Sequence, residues 1–365
     1  MKKTPSKEQE CLQENTEKRA NREREKGKDK QLRQTYNKMG KPCDYRESSQ
    51  VTLPDNFCLA DNYKQVVSAI NNLRTLAGKK KYINFKAIRQ MDIAAALMLA
   101  AELEVNKIEA GTPKITTHDS DWNPEVRTLL GQMGFLELLF ADSKISVHTK
   151  PLRNQIFLKF RSGYKLIGDD TMQMVESLQK RLAPCKLEPE LLLHLYTGIF
   201  EAITNTRHHA YKHKKQDEEL KRWWISASID TQTNEIKVVC YDRGKTIPKT
   251  IKNSKRIPAP LQFLGEDMSS HLSDGDVIIT AIKKRISSTK SNNRGVGLSE
   301  LVRLIDKSQQ GALRIYSGTG MAEFNHSFNI RKEPCISRKL SRKMHGTLVE
   351  WSITPSSFNY EGIPG

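Results

Sequence analysis

The fold of the C-terminal half of the chain is decided by one segment, Glu235-Ile236-Lys237-Val238-Val239-Cys240-Tyr241-Asp242-Arg243-Gly244-Lys245-Thr246-Ile247-Pro248. Residues 235–241 are rich in β-branched and aromatic side chains, which is typical of a strand. An aspartate and a glycine then interrupt the apolar run, and both residue types are typical of turns. We therefore predict a strand that runs straight into Asp242 and a tight turn after it.

Upstream of this strand, residues 189–212 have the periodicity of one amphipathic helix. At about 100° per residue, three polar side chains share one stripe of this helix. These are Glu201, Asn205 and His208. The opposite side is apolar and contains Leu192, Leu195, Ile199, Ala202, Ile203 and Ala210. Any amphipathic helix has a solvated face, so the meaning of the polar stripe depends on the segments that follow.

Further strands and a glycine-rich turn complete the C-terminal half. The segment Asn293-Arg294-Gly295-Val296-Gly297-Leu298 opens a helix whose apolar positions continue at Leu301, Val302 and Ile305. Strands are predicted at Trp223–Ile229, Leu313–Ser317, about His326–Ile330 and Gly346–Trp351. An earlier helix is predicted over about Asp170–Arg181.

In this order, the segments resemble the nucleotide-binding motifs of the GHKL family, which includes gyrase B subunits, MutL-type repair proteins, histidine kinases and anti-sigma-factor serine kinases. The resembling segments are Glu201 to Asn205 with His209-Ala210 (the N box), Asp242 to Pro248 (the D-x-G-x-G-I-P box), Arg294 to Leu298 (the G-x-G box) and Gly346-Thr347 (the motif beside the adenine). One departure is Thr246, which stands where the second box usually has a glycine.

The resemblance implies a domain that holds Mg-ATP, with a role for each polar residue. Asn205 would offer a side-chain oxygen to Mg²⁺, a cation that prefers oxygen ligands and bridges phosphates. Glu201, one helical turn earlier, would orient or deprotonate water near the γ-phosphate and is the predicted catalytic residue. Asp242 would accept a hydrogen bond from the adenine amino group, with the hydroxyl of Thr347 in support.

The other predicted cofactor-binding residues would lie near the phosphates. Glycines let the backbone approach the ligand closely, and a helix N-terminus favours phosphate charge. Residues 249–294, polar and rich in Lys, Ser and Asn, are predicted to form a lid over the phosphates. The residues concerned are Gly244, Lys290, Arg294, Gly295, Gly297 and Leu298.

The stretch before this domain alternates strand-like and helix-like patterns, which indicates a small α/β layer. Helices are predicted at Tyr63–Leu76, Ile93–Leu103 and Asn123–Leu139, and strands at Tyr82–Phe85 and Lys107–Ala110. Residues 82–139 resemble a STAS domain of the anti-sigma-antagonist type. The stretch that corresponds to its phosphorylated turn is Asp92-Ile93-Ala94-Ala95-Ala96, which has no hydroxyl, so we expect a docking or dimerising domain.

The predicted fold class is therefore α/β (α+β). It comprises a charged, disordered or helical arm at residues 1–45, a STAS-like domain at 50–166 and a two-layer GHKL-type sandwich at 168–356. The arm contains almost no large apolar side chains, so it cannot offset its ordering entropy by burial.

The net charge and the cysteine content indicate which partners and which cellular compartment suit the chain. The net charge is +18 and is spread along the chain, which suits polyphosphate or anionic partners as well as nucleic acid. Six cysteines without a C-x-x-C pair fit neither a zinc site nor a disulfide framework and indicate reduced thiols in a cytoplasmic protein. We expect neither a membrane span nor a secretory signal, because no run of about 18 apolar residues occurs and no apolar segment follows the basic residues 1–7.

The expected function is a nucleotide-controlled switch with slow Mg-dependent ATPase activity, acting on a partner protein. A protein serine kinase of the anti-sigma-factor type is the first alternative. A non-catalytic basic module that binds nucleic acid or a partner is the second, and a homodimer also stays open.

Overall fold

The computed structural model describes residues 50–75, 82–110, 114–115, 121–139, 154–165, 169–211, 217–252, 272–283, 297–308, 310–325 and 335–355. The predicted arm at residues 1–45 and much of the predicted lid lie outside these ranges. The helices are α1 (Tyr63–Arg74), α2 (Ile93–Ala110), α3 (Pro124–Gln132), α4 (Phe135–Leu139), α5 (Asp169–Leu182), α6 (Pro189–Asn205), α7 (Ile247–Lys252), α8 (Asp274–Lys283) and α9 (Gly297–Lys307).

The strands are β1 (Gln50–Thr52), β2 (Asn56–Phe57), β3 (Tyr82–Asn84), β4 (Gln90–Met91), β5 (Lys114–Ile115), β6 (Gln155–Phe157), β7 (Arg161–Gly163), β8 (Trp223–Asp230), β9 (Glu235–Asp242), β10 (Gln310–Asn325) and β11 (Ile336–Thr354). A six-stranded antiparallel sheet has the order β10-β11-β9-β8-β6, and β7 also pairs with β8. The small sheets β1-β3-β5 and β2-β4 are parallel. The predicted α/β (α+β) class is confirmed.

The large sheet is buried on both faces because its strands carry apolar side chains at consecutive positions. On β8, Trp223 and Ile225 pack with α5, α6 and α9, whereas Trp224 between them packs with α1 and α2. On β9, Cys240 and Tyr241 divide between the same two layers. The N-terminal helices therefore form a third layer that covers the second face of the sheet.

The sheet also takes strands from both sides of the predicted division at residues 166–168. Strands β6 and β7, which precede that division, hydrogen-bond to β8 rather than to the small parallel sheets. The division into domains stays a prediction, but the N-terminal segment contributes directly to the large sheet.

Two predicted elements of the N-terminal half are wrong. The predicted strand Lys107–Ala110 is the last turn of α2. Ile108 in this turn is 41% exposed, so it is not part of a buried strand. The predicted helix Asn123–Leu139 is divided at Gly134, whose φ of +78° no α-helix accommodates. Asn123 does cap the start of this region, because its side chain accepts hydrogen bonds from the backbone N–H groups of Glu125 and Val126.

The last two strands are longer than predicted. Strand β10 extends Leu313–Ser317 at both ends, and β11 begins before Gly346 and continues past Trp351. The predicted strand at His326–Ile330 lies outside the described residues. Within the described ranges, every helix is too short or too polar to cross a lipid bilayer.

Asp92 fixes the start of α2 from a half-buried position. Its Oδ1 accepts a hydrogen bond from Ala95 N at 2.7 Å, and its Oδ2 accepts one from Leu59 N at 2.6 Å. Burial raises the pKa of Asp92 from its ordinary 3.8 to about 6, and the nearby charge of Glu350 adds to the rise. The folded protein therefore binds this proton more tightly than the unfolded chain does.

We expect the stabilising contribution of Asp92 to be present in full below pH 3.8 and to be lost as the pH rises through about 6. A shift of about two pKa units corresponds to roughly 3 kcal/mol of unfolding free energy. Urea unfolding of the wild type and of Asp92→Asn, which lacks this titration, measures the effect. The stability of the wild type relative to the variant should fall by roughly 2–3 kcal/mol between pH 4 and pH 7. An unchanged difference would contradict the assignment.

Candidate functional site

Helix α6 ends in a change of helical geometry at the predicted polar stripe. The α-helix stops at Asn205, and Thr206–Ala210 forms one π-helical turn, so the prediction of one α-helix over 189–212 is wrong beyond Asn205. A π turn takes one more residue than an α turn, and the helical wheel that put His208 on the stripe does not apply there. Glu201 and Asn205 remain one α-helical turn apart, and both are half-buried.

The side-chain amide of Asn205 has one hydrogen-bonding position that no described residue fills. Its Nδ2 is buried and makes no hydrogen bond to any residue in the described ranges. A buried polar atom without a partner costs free energy, which is one reason to look for a ligand there. The amide nitrogen and oxygen exchange places by a flip of the side chain, so the oxygen can equally face this position.

The turn after β9 packs directly against the π turn. The Oδ1 of Asp242 accepts a hydrogen bond from Gly244 N at 2.7 Å, and Lys245 N donates to the carbonyl of Ala210 at 2.6 Å. A Cβ on Gly244 would lie 2.4 Å from the Cβ of Ala210. The sequence predicted Gly244 as a point of close approach to a ligand. In the structure, the atoms closest to a Cβ placed on Gly244 belong to Ala210 of the π turn.

The third part of the site is β11, which is paired with the end of β9. Thr347 lies opposite Asp242 in the register, and both residues are buried. Gly346 has a φ of +85°, and a Cβ on it would lie 1.7 Å from the carbonyl oxygen of Asp242. The backbone of Asp242 is thus held against the backbone of Gly346.

Ser317 on β10 is a member of the site that the sequence did not reveal. It is fully buried, and its Oγ lies 2.9 Å from Oγ1 of Thr347 and accepts a hydrogen bond from Ile247 N at 2.9 Å. The hydroxyl therefore ties the side chain of Thr347 to the first residue of α7. Its place depends on the pairing of distant strands, which a single strand pattern does not specify.

Thr246, which stands where the GHKL motif that this segment resembles has a glycine, makes structural contacts of its own. Its Oγ1 accepts a hydrogen bond from Lys249 N at 3.3 Å, and its carbonyl accepts one from Thr250 N at 2.9 Å. These are the contacts of an N-cap residue. The threonine hydroxyl thus caps the start of α7. A glycine at this position has no side-chain oxygen to accept this hydrogen bond.

The glycine-rich segment is only partly described. Lys290, Arg294 and Gly295 lie outside the described residues. The backbone of Gly297 and Leu298 forms the start of α9, which packs against α6. Trp351 on β11 donates its indole N–H to the carbonyl of Leu301 at 2.8 Å and fixes α9 on the sheet.

Tyr211 links the end of α6 to the turn and was also missed. Its buried hydroxyl accepts a hydrogen bond from Arg243 N at 3.1 Å and donates one to the carbonyl of Arg222 at 3.0 Å. Burial, together with the charge of Asp242, raises the pKa of Tyr211, so the hydroxyl stays protonated and keeps both roles. Only its position after the His-His-Ala sequence could have pointed to it.

The residues present fit a magnesium nucleotide. Mg²⁺ prefers oxygen ligands and keeps several waters while it bridges phosphates, so the amide oxygen of Asn205 would supply one protein ligand of the required kind. A buried carboxylate at Asp242, fixed by Gly244 N–H, suits a ligand that donates a hydrogen bond. The hydroxyl of Thr347 lies beside it in the register.

No protein-family model matches the chain. No curated protein matches its sequence. Among solved structures, the chain is similar to a chain in the crystal structure of the SiaB–SiaC complex from Pseudomonas aeruginosa, with 12% sequence identity and a TM-score of 0.27. The match covers 54% of this chain and 89% of that one. At this identity and TM-score, the likeness assigns neither a family nor a function.

Replacing Gly346 with alanine should disrupt the contact between β11 and Asp242. The residue has a positive φ, and the added Cβ would collide with the carbonyl oxygen of Asp242, so we expect a loss of more than about 2 kcal/mol of unfolding free energy. Gly198→Ala is the matched control, because Gly198 lies within a helix and its Cβ would meet the Trp351 ring at a tight 3.3 Å, which a shift of a few tenths of an ångström relieves. We expect that variant to stay within about 1 kcal/mol of the wild type in urea unfolding. Equal stabilities for the two variants would refute this account of Gly346.

Proposed function

We propose that the chain binds Mg-ATP where the C-terminal end of α6, the Asp242–Gly244 turn and Thr347 on β11 meet. The observation that carries the proposal is the mutual packing of these segments, which are far apart in the sequence. Ala210 contacts Gly244, and Asp242 contacts both Gly244 and Gly346. These are the segments whose residue types resemble successive nucleotide-binding motifs of the GHKL family.

Asp242 is the residue that would select the base. Its carboxylate accepts hydrogen bonds when ionised, and the exocyclic amine of adenine donates them. Guanine has a carbonyl oxygen at the corresponding position and would face the carboxylate with another acceptor. The buried position of Asp242 makes an unpaired acceptor pair costly, so the site should prefer ATP to GTP.

Asn205 and Glu201 would act at the phosphate end. Asn205 would hold Mg²⁺ through its amide oxygen, and the ion would neutralise phosphate charge when bound. Glu201, one turn earlier on α6, would orient an attacking water and accept its proton.

Two alternatives stay distinct from this proposal. In the serine kinase, the same site would pass the γ-phosphate to a hydroxyl of a partner protein. In the non-catalytic module, the basic chain would bind nucleic acid or a partner, and ATP would have at most a structural role. Label from γ-labelled ATP on protein would favour the first, and salt-sensitive nucleic-acid binding without hydrolysis would favour the second.

Asp242→Asn should weaken Mg-ATP binding at least tenfold, because the amide presents a donor and only one acceptor to the adenine amine. Isothermal titration calorimetry with ATP and GTP, with and without Mg²⁺, measures the effect. Asp230→Asn is the matched control, since Asp230 caps the turn between β8 and β9 through Gln232 N and Thr233 N at the other end of the sheet. Equal affinities for the wild type and Asp242→Asn would end the proposal.

Glu201→Gln should keep Mg-ATP binding and lower phosphate release by about 100-fold or more, the usual effect of removing a general base. Glu190→Gln, an exposed position in the first turn of the same helix, should release phosphate at the wild-type rate. Release is followed with a coupled phosphate assay at saturating ATP. Equal rates for wild type and Glu201→Gln would show that the water is not activated by this residue.

A further inference from the structure

Arg243, the residue between Asp242 and Gly244, belongs to the N-terminal layer by its contacts. Its guanidinium is buried against Glu102 of α2: Nε donates to Oε1 at 2.8 Å, and Nη2 lies 2.8 Å from Oε2. Arg243 is 8% exposed and Glu102 is 0% exposed. An ion pair therefore joins the predicted adenine-binding turn to a helix of the other layer.

The backbone of Arg243 is held as well. The Nη2 of Arg74, at the end of α1, donates to the carbonyl oxygen of Arg243 at 2.9 Å. The hydroxyl of Tyr211 accepts from Arg243 N. The N–H, the carbonyl and the side chain of Arg243 thus each have a partner, two of them on N-terminal helices.

The Glu102–Arg243 pair is sensitive to the loss of either member. Burial works against the charged guanidinium, yet the facing carboxylate of Glu102 raises the pKa of Arg243. Removal of one partner from a buried pair leaves a charge without compensation, which is far more costly than replacing the whole pair with apolar side chains. Because Arg243 is bonded to Asp242 and Gly244, any relaxation of its side chain displaces the turn.

We propose that Glu102 is a positioning residue for the Asp242–Gly244 turn, and that the docking of α2 on the sheet thereby sets the nucleotide affinity. This inference rests on the proposed function. Coupling of this kind is reciprocal, so a bound nucleotide would strengthen the docking of the N-terminal layer. Whatever displaces α2 would release nucleotide, which gives the expected switch a physical connection between its two parts.

Glu104 on the same helix provides a matched control. It accepts a hydrogen bond from the indole of Trp224 at 2.6 Å and pairs with Arg222 at 3.4 Å. It belongs to the same interface between α2 and the sheet, but its described partners are Ser162, Arg222 and Trp224 rather than the turn at residues 242–244. Glu104→Gln therefore perturbs a different contact of α2 and leaves the Glu102–Arg243 pair, and with it the docking of α2 at the turn, in place.

The test compares the full-length wild type, Glu102→Gln and Glu104→Gln. Calorimetry with Mg-ATP should show an affinity about 5- to 150-fold weaker for Glu102→Gln, the usual range of coupling between sites, and little change for Glu104→Gln. Hydrogen exchange without nucleotide gives an independent readout. The amides of Arg243, Gly244 and Lys245, which are all hydrogen-bonded, should exchange faster in Glu102→Gln alone.

The double variant Glu102→Leu with Arg243→Met separates positioning from stability, because it removes the pair without leaving a buried charge. It should fold with near-wild-type stability, yet its affinity for Mg-ATP should remain below that of the wild type. Wild-type affinity and exchange in both Glu102 variants would overturn this inference alone. Failure of the wild-type protein to bind Mg-ATP would instead overturn the proposed function, and the coupling with it.

Discussion

The close contact between Gly244 and Ala210 is the constraint on which the candidate site depends. Helix α6 packs on one face of the large sheet, and the π turn at its end reaches the turn that follows Asp242 at the end of β9. Lys245 N donates to the carbonyl of Ala210 at 2.6 Å, and the space that a Cβ on Gly244 would need is already filled. A larger residue at either position would move the helix that carries Asn205 away from the strand that carries Asp242.

The same turn is confined on its other sides by backbone and buried charge. Gly346 approaches the carbonyl of Asp242 from β11, and Glu102 and Arg74 hold Arg243 from the N-terminal helices. The helices on both faces of the sheet and the neighbouring strand β11 therefore all contact the turn at residues 242–245. The burial of both sheet faces makes this arrangement possible, since it brings α2 over the end of β9 while α6 covers the opposite face.

Local sequence patterns predicted the elements whose conformation depends mainly on neighbouring residues. Strand β9, the start of α6 after Glu188 and the N-cap at Asn123 follow from side-chain alternation, helical periodicity and capping chemistry. The π turn, the full length of α2 and the third layer depend on contacts between distant segments, and the sequence pattern did not predict them. The adenine and magnesium roles of Asp242 and Asn205 were expected from a resemblance, and they stay predictions.

Contacts that hold the site were harder to foresee than the residues within it. Ser317, Tyr211 and Glu102 are buried polar residues whose partners come from other elements. A polar residue in an apolar run gives no sign of its partner, and buried polar groups acquire meaning only from the hydrogen bonds that satisfy them. Thr246 departs from the motif that its segment resembles, and its hydroxyl caps the helix that follows.

The most direct test of the central claim is a crystal structure of the full chain with Mg²⁺ and a non-hydrolysable ATP analogue. We predict that the adenine amine lies within hydrogen-bonding distance of the Asp242 carboxylate, with Mg²⁺ on the amide oxygen of Asn205. Nucleotide bound at another place, with these two residues in contact only with protein or water, would contradict the account.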